Sequence, residues 1–201
     1  MAPSPMAPRD HRSFIETELQ SSAAIQQATA KACTDDILKA VQMLVGSVRH
    51  GGKILFCGNG GSAADCQHLA TELVVRLNPA MKRPGIPAIA LTTDTSFLTA
   101  GANDLGYDQV FARGVEALGA KGDVLVGITT SGKSESINNA LRAAHSKGKA
   151  TLGLLGKGGG TTRELVDIAI IVPSDDTQRI QESHIAVGHI LCALTERELY
   201  G

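Results

Sequence analysis

The apolar positions of this chain change rhythm once. Residues 13–33 carry them at helical intervals, and "TDDILKAVQMLVGSVRHGG" does the same. Two helices are expected here, the second with Thr34 as N-cap, two acids in its first turn and Gly51 as its stop. Beyond Gly51 the pattern becomes short runs rich in Ile, Val and Leu: "KILFCG", "PAIALTT", "DVLVGIT", "ATLGLLG" and "DIAIIVP". Each is followed by a Gly/Ser/Thr turn or a polar stretch, and helical segments separate most of them. Such runs predict strands buried on both faces, hence a parallel sheet with helices on each side. A last helix is expected over about residues 178–200. The fold class is α/β. No internal repeat interrupts the pattern.

Composition narrows the possibilities. A chain of 201 residues with 43% hydrophobic positions has the size and make-up of one globular domain. A formal net charge of −1 gives no global field toward nucleic acid or anionic membrane. Aromatics at 3%, with no Trp, leave little for stacking bases, and the apolar runs are far too short to span a bilayer. The opening "MAPSPMAPRD" lacks the long apolar core of a signal peptide and is expected to be a disordered lead-in over residues 1–10, with a single domain over 11–201. The four cysteines (Cys33, Cys57, Cys66, Cys192) form no CxxC pair. Reduced thiols and a cytoplasmic location are the expectation.

In open parallel sheets, ligands sit beyond the carboxyl ends of the strands, at helix N-termini. Three turns hold that position: "GNGGS" at 58–62, "TTSGKS" at 129–134 and "GKGGGTT" at 156–162. "GNGGSA" fits the dinucleotide fingerprint GxGxxA, but the acid expected about 20 residues on is missing: position 78 is Asn, and the next strand runs on into Asp94. Two other readings stand beside it. One is a plain strand-to-helix turn. The other is an oxyanion site, in which Gly60 and Gly61 admit close backbone approach and Asn59 and Ser62 supply hydrogen bonds. "TTSGKS" favours the oxyanion: Thr129, Thr130, Ser131 and Ser134 place four hydroxyls at a helix start, where a cap alone needs one.

A helix over 63–77 would bury Cys66, Leu69, Ala70, Leu73, Val74 and Leu77 and carry Asp65, His68, Glu72 and Arg76 on the opposite stripe. That stripe is either a solvated face or the wall of a crevice, where His and Glu at i, i+4 can share a metal ion. On the last helix, His189 stands in the apolar run "IAVGHILCAL", with Gln181 and His184 as further polar positions. A hydrogen-bonded core residue is the competing reading for His189.

Taken together, "CGNGGSAADCQHLATEL", "GAND", "GITTSGKS" and "RIQESHIAVGHIL" resemble in order and spacing the SIS (sugar isomerase) family. Within that family they are similar to the branch of ketose–aldose isomerases acting on a seven-carbon sugar phosphate. The resemblance implies a three-layer αβα sandwich with a central, mostly five-stranded parallel sheet, preceded by N-terminal helices. It implies conversion of D-sedoheptulose 7-phosphate to D-glycero-D-manno-heptose 7-phosphate through an enediol. It assigns Asn59, Gly60, Gly61, Ser62, Glu72, Asn103, Asp104 and Gln181 to the substrate, and Thr129, Thr130, Ser131 and Ser134 to its phosphate. It makes Glu72 and His189 the proton-transfer pair and His68, Glu72, Gln181 and His189 the ligands of one zinc ion per subunit. The zinc is either catalytic or structural. Neither a nucleotide nor a redox cofactor is implied. The implied assembly is a cytoplasmic homotetramer without nucleic-acid or membrane partners.

Two residues depart from the family pattern: Thr129 stands where Ser is common, and Gln178 where Asp is common. The same family includes a non-catalytic, protein-binding branch that lacks the glutamate, so an SIS protein-binding module is the alternative reading. Gln181 and His189 lie eight residues apart, roughly 12 Å along one helix, too far to meet at one ion easily. Either the helix is distorted or the two residues come from different chains; the stretch around 185–194, apolar nearly all round, suits burial between subunits, and an active site at a subunit interface, with His189 or Gln181 donated by a neighbour, is expected.

Overall fold

The computed structural model describes residues 10–201. The lead-in expected over 1–10 lies outside them except for Asp10, which caps the first helix by accepting from the Ser13 amide at 3.1 Å.

The first helix, α1 (His11–Arg49), is unbroken where two helices were expected. Nothing in "KACTDDIL" can break it. There is no Gly or Pro, the buried positions Cys33, Ile37, Ala40, Val41 and Leu44 continue one apolar stripe, and the Thr34 hydroxyl bonds back to the Ala30 carbonyl at 2.6 Å instead of capping. The stop at Gly51 holds: its φ of +80° turns the chain out of the helix.

The order that follows is β1 (Ile54–Gly58), α2 (Gly61–Val74), β2 (Ala88–Ala90), α3 (Thr95–Leu105), α4 (Val110–Leu118), β3 (Val124–Thr129), α5 (Glu135–Ser146), β4 (Ala150–Leu155), β5 (Ile168–Ile171) and α6 (Thr177–Tyr200). All strand pairs are parallel, in the order β2-β1-β3-β4-β5. β2 is shorter than "PAIALTT" suggested. It is an edge strand paired on one side only, and a short edge is a common way to blunt an exposed ladder.

Successive strand residues face opposite layers. Ile54, Phe56, Val124, Val126, Leu152 and Leu154 join the core built with α1, α2 and α6, whereas Leu55, Cys57 and Leu125 join the core built with α4 and α5. The sheet order reverses between β1 and β3, which run side by side with Gly58 opposite Ile128. The glycine turn after β1 and the hydroxyl turn after β3 thus leave the sheet together, at the switch point where such folds bind ligands.

Candidate active site

α2 and α6 lie side by side and in the same direction. Gly61 meets Gln181, Leu69 meets Gly188, His68 meets His189, and Leu77 meets Glu196. The approach is close because position 188 has no side chain: a Cβ there would sit 2.6 Å from the Leu69 methyls. This contact brings His68 Nε2 within 2.7 Å of His189 Nε2, with the rings edge-on at 82°. Glu72 Oε1 lies 3.4 Å from His68 Nε2. One nitrogen from each histidine and one carboxylate oxygen fall within 4.8 Å of one another, an arrangement that can hold a cation. The His68 side chain is 45% exposed and that of Glu72 17%, so the group opens to solvent from one side.

His189 reaches this cluster within its own chain, so of the two residues of which one was expected from a neighbour, His189 or Gln181, it is Gln181 that stands apart from the group. The parallel packing of α2 on α6 lets His189 meet His68 and Glu72 without Gln181, whatever the distance along α6. The Gln181 amide sits instead at the start of α2, against Gly61, seven residues or about 10 Å of helix before His68. Burial raises the Asp65 carboxyl, opposed by Gln181 and the His68 charge. Asp65 is thus a buried group, not part of a solvated stripe. α2 stops before the expected residue 77. Beyond it the amides of Leu77 and Asn78 donate to the Glu196 carboxylate at 2.9 and 3.2 Å, and the Arg83 side chain donates to the same carboxylate and to the Glu72 carbonyl.

The glycine turn is formed around Gly60, whose φ of +56° favours glycine. Asn59 holds its amide between two partners: it accepts from the Tyr107 hydroxyl at 2.7 Å and donates to Ser136 Oγ at 3.0 Å. Ser62 is buried, its amide bonded to the Asn59 carbonyl. Asp94, the acid after the second strand, caps α3 by accepting from the Phe97 amide. It is therefore already engaged and unsuited to a ribose.

In the hydroxyl turn, Thr129 Oγ1 lies 3.2 Å from Ser134 Oγ and 3.4 Å from Ser131 Oγ. Ser134 occupies the N-cap position of α5 yet makes no side-chain cap bond. Its hydroxyl belongs to this cluster, which disfavours the plain-cap reading. Thr130 is half-buried beside it. Gly132, at φ +62°, packs against the backbone of Gly159 and Gly160, and its carbonyl accepts from the Thr162 amide and the Thr161 hydroxyl. The third glycine turn therefore braces the second.

Asn103 and Asp104 lie exposed near the end of α3 and bond to each other at 2.7 Å. Their bonds do not join them to the other proposed site residues; the link from their segment to the glycine turn is Tyr107. Sequence reasoning passed over Tyr107, Ser136, Arg83, Glu196 and Gly188. The only signal among them was Gly188, a glycine inside an apolar helix beside a histidine. All four cysteines are buried free thiols. Burial pushes Cys57 and Cys192 up to about 12.

The SIS domain family matches residues 19–156 of the chain. A phosphoheptose isomerase from Pelodictyon phaeoclathratiforme is 54% identical over 179 residues, 89% of this chain and 85% of that protein. One from Trichlorobacter lovleyi is 48% identical over 190 residues, 94% and 96%. Among solved structures, a phosphoheptose isomerase from Francisella tularensis superposes with a TM-score of 0.90 at 38% identity, covering 94% of this chain and all of that one. One from Neisseria gonorrhoeae gives 0.87 at 39%, covering 92% and 98%.

Proposed function

This chain belongs to the SIS domain family, among the phosphoheptose isomerases, and from that premise we propose that it converts D-sedoheptulose 7-phosphate to D-glycero-D-manno-heptose 7-phosphate. The observation that carries the proposal is the His68–Glu72–His189 group between α6 and the helix that leaves the glycine turn, together with the converging hydroxyls of the turn that follows the neighbouring strand. The reaction moves a proton from the carbon next to the carbonyl to the former carbonyl carbon, through an enediol. Glu72 is the base that takes the proton, and His189 serves the oxygens that exchange theirs. A positioned group of this kind contributes about 10²–10⁴-fold. Thr129, Thr130, Ser131 and Ser134 receive the phosphate, whose remote binding energy holds the reacting carbons in place. Asn59, Gly60, Gly61, Ser62, Asn103, Asp104 and Gln181 receive the sugar.

His68, Glu72 and His189 suit zinc. Two imidazole nitrogens and a carboxylate oxygen are ordinary zinc donors, and the edge of a tetrahedral shell is about 3.3 Å, close to the His68–Glu72 spacing. Bound there, zinc would polarise sugar oxygens as a Lewis acid. A Glu72 carboxylate shared with the metal is a weaker base, so metal and proton transfer compete for it. Gln181 becomes a fourth donor only if its amide swings away from Gly61 or a second copy supplies it.

A homotetramer in the cytoplasm completes the reading. Phe14, Ile15 and Leu19 on α1 and Ile190 on α6 are 45–67% exposed, apolar surface suited to contact between copies. Among the described residues, no helix is long and apolar enough to cross a membrane. The protein-binding alternative is disfavoured by the presence of Glu72 and His189 and by the isomerase relatives. Incubating purified protein with sedoheptulose 7-phosphate and following the aldoheptose phosphate by NMR tests the proposal. No conversion, with substrate recovered intact, overturns it.

A further inference from the structure

Tyr107 has no part in the chemistry above. Its hydroxyl donates to Asn59 Oδ1, and Asn59 Nδ2 donates onward to Ser136 Oγ. These two bonds fix the Asn59 amide with its oxygen toward Tyr107 and its nitrogen toward Ser136. An asparagine amide has two N–H protons and two carbonyl lone pairs, so one of each is left for a ligand. Ser136 is 3% exposed and Tyr107 48%, so the chain of bonds climbs from the buried start of α5 to the solvent-exposed surface at Tyr107.

The backbone is built to deliver that hydroxyl. Gly106, at φ +85°, ends α3 and turns the chain into a short 3-10 segment, Tyr107–Gln109. Asn139 on α5 donates to the Asp108 carbonyl and ties the segment down. The Tyr107 ring packs edge-on against buried Phe111, with centroids 6.2 Å apart. Tyr107 lies three residues beyond Asp104, so the Tyr107–Asn59 bond joins the end of α3 to the glycine turn.

We propose that Tyr107 is a positioning residue for the sugar phosphate. By holding the Asn59 amide in one orientation, it presets the donor and acceptor that meet the sugar hydroxyls, and it ties the end of α3 to the glycine turn. An unheld asparagine on a glycine-rich turn would lose rotamer freedom on binding; a held one has already lost it. This rests on the isomerase reading for its substrate, though not for the Asn59 geometry.

Tyr107→Phe removes the hydroxyl and keeps the ring against Phe111. KM for sedoheptulose 7-phosphate should rise roughly fivefold with kcat changed by less than about twofold, the scale of one lost hydrogen bond. In an Asn59→Ala background the same substitution should change KM by less than about 1.5-fold, because the amide through which Tyr107 acts is gone. An unchanged KM in Tyr107→Phe, or the full rise persisting in the Asn59→Ala background, overturns the proposal. A second readout needs no turnover: exchange of the Asn59 Nδ2 protons, followed by NMR in the free protein, should be faster in Tyr107→Phe. Unchanged exchange overturns the proposal as well. If the wild-type protein fails to convert the sugar phosphate, the isomerase reading falls, and the exchange measurement still decides whether Tyr107 holds Asn59.

Discussion

Gly188 of α6 rests on Leu69 of α2 with no space for a Cβ between them, and this contact sets the distance at which His189 meets His68. Gly188→Ala should push the helices apart by a few tenths of an ångström, since Leu69 is itself buried and cannot swing freely. Overpacking of this kind costs about 1–3 kcal/mol. The melting temperature should fall by several degrees, on the order of 2–4 °C per kcal/mol at this size. Zinc affinity, measured by competition with a chelator, should fall with it. A variant that binds zinc as tightly as the wild type would mean that the helix spacing does not set the ligand group.

Glu72→Gln should leave the protein folded and reduce turnover by at least about 10²-fold, the low end for loss of a general base. The amide keeps the size of the side chain and removes its basicity. Circular dichroism checks the fold, and the rate with saturating sedoheptulose 7-phosphate checks the chemistry. Near-normal turnover would remove Glu72 from the proton transfer.

Ser134→Ala separates two roles of one hydroxyl. Loss of an N-cap bond costs about 1 kcal/mol. Because Ser134 makes no such bond and faces Thr129 instead, stability should change by less than about 0.5 kcal/mol. Affinity for the sugar phosphate should weaken, as it should in Ser131→Ala. Unchanged affinity together with a clear loss of stability would restore the capping role.

The strands and the two turns that leave them were legible in the sequence because they rest on local signals, namely unbroken apolar runs ended by Gly, Ser and Thr. The break expected at Thr34 was not real. Its acids and hydroxyl imitate a helix start, but the apolar stripe of α1 runs through it, and burial of that stripe outweighs the capping preference. His68 and Glu72 could be read as a pair because four residues is one helical turn. Their partner His189 could be named but not placed, because its position depends on how α6 packs on α2. Tyr107 and Ser136 gave no signal at all, since their significance lies in bonds to a residue 48 and 77 positions away.

His184 makes stability depend on pH. It is buried on α6, and burial lowers it from 6.5 to about 4, opposed only by the Leu155 backbone. An unfolded chain therefore binds a proton at this histidine between about pH 6.5 and 4 that the folded chain does not. Stability should be full above pH 6.5 and fall as the pH drops toward 4, by an amount on the order of 3 kcal/mol. Asp123 and Glu196, whose carboxyls lie below their ordinary values, lose their contributions only at lower pH, and Asp65, raised by burial, acts in the opposite sense. Urea unfolding at pH 7.5, 6 and 5 checks the trend. His184→Asn should flatten it, and a wild-type curve already flat over this range would show that the imidazole finds a partner for its proton.

The Glu196 carboxylate, with its side chain 1% exposed, has consequences for how far the end of the chain can be shortened. It lies in the final turns of α6, where a terminal helix would ordinarily be free to fray. A cut before it would strand the Arg83 guanidinium, whose side chain is wholly enclosed, and release the amides of Leu77 and Asn78. Unpairing a buried charge costs about 3–5 kcal/mol. The damage would travel to the helix that presents Glu72, because Arg83 also bonds the Glu72 carbonyl. The last turns of α6 are thus a keystone for the stretch of α2 that carries Glu72, the proposed base.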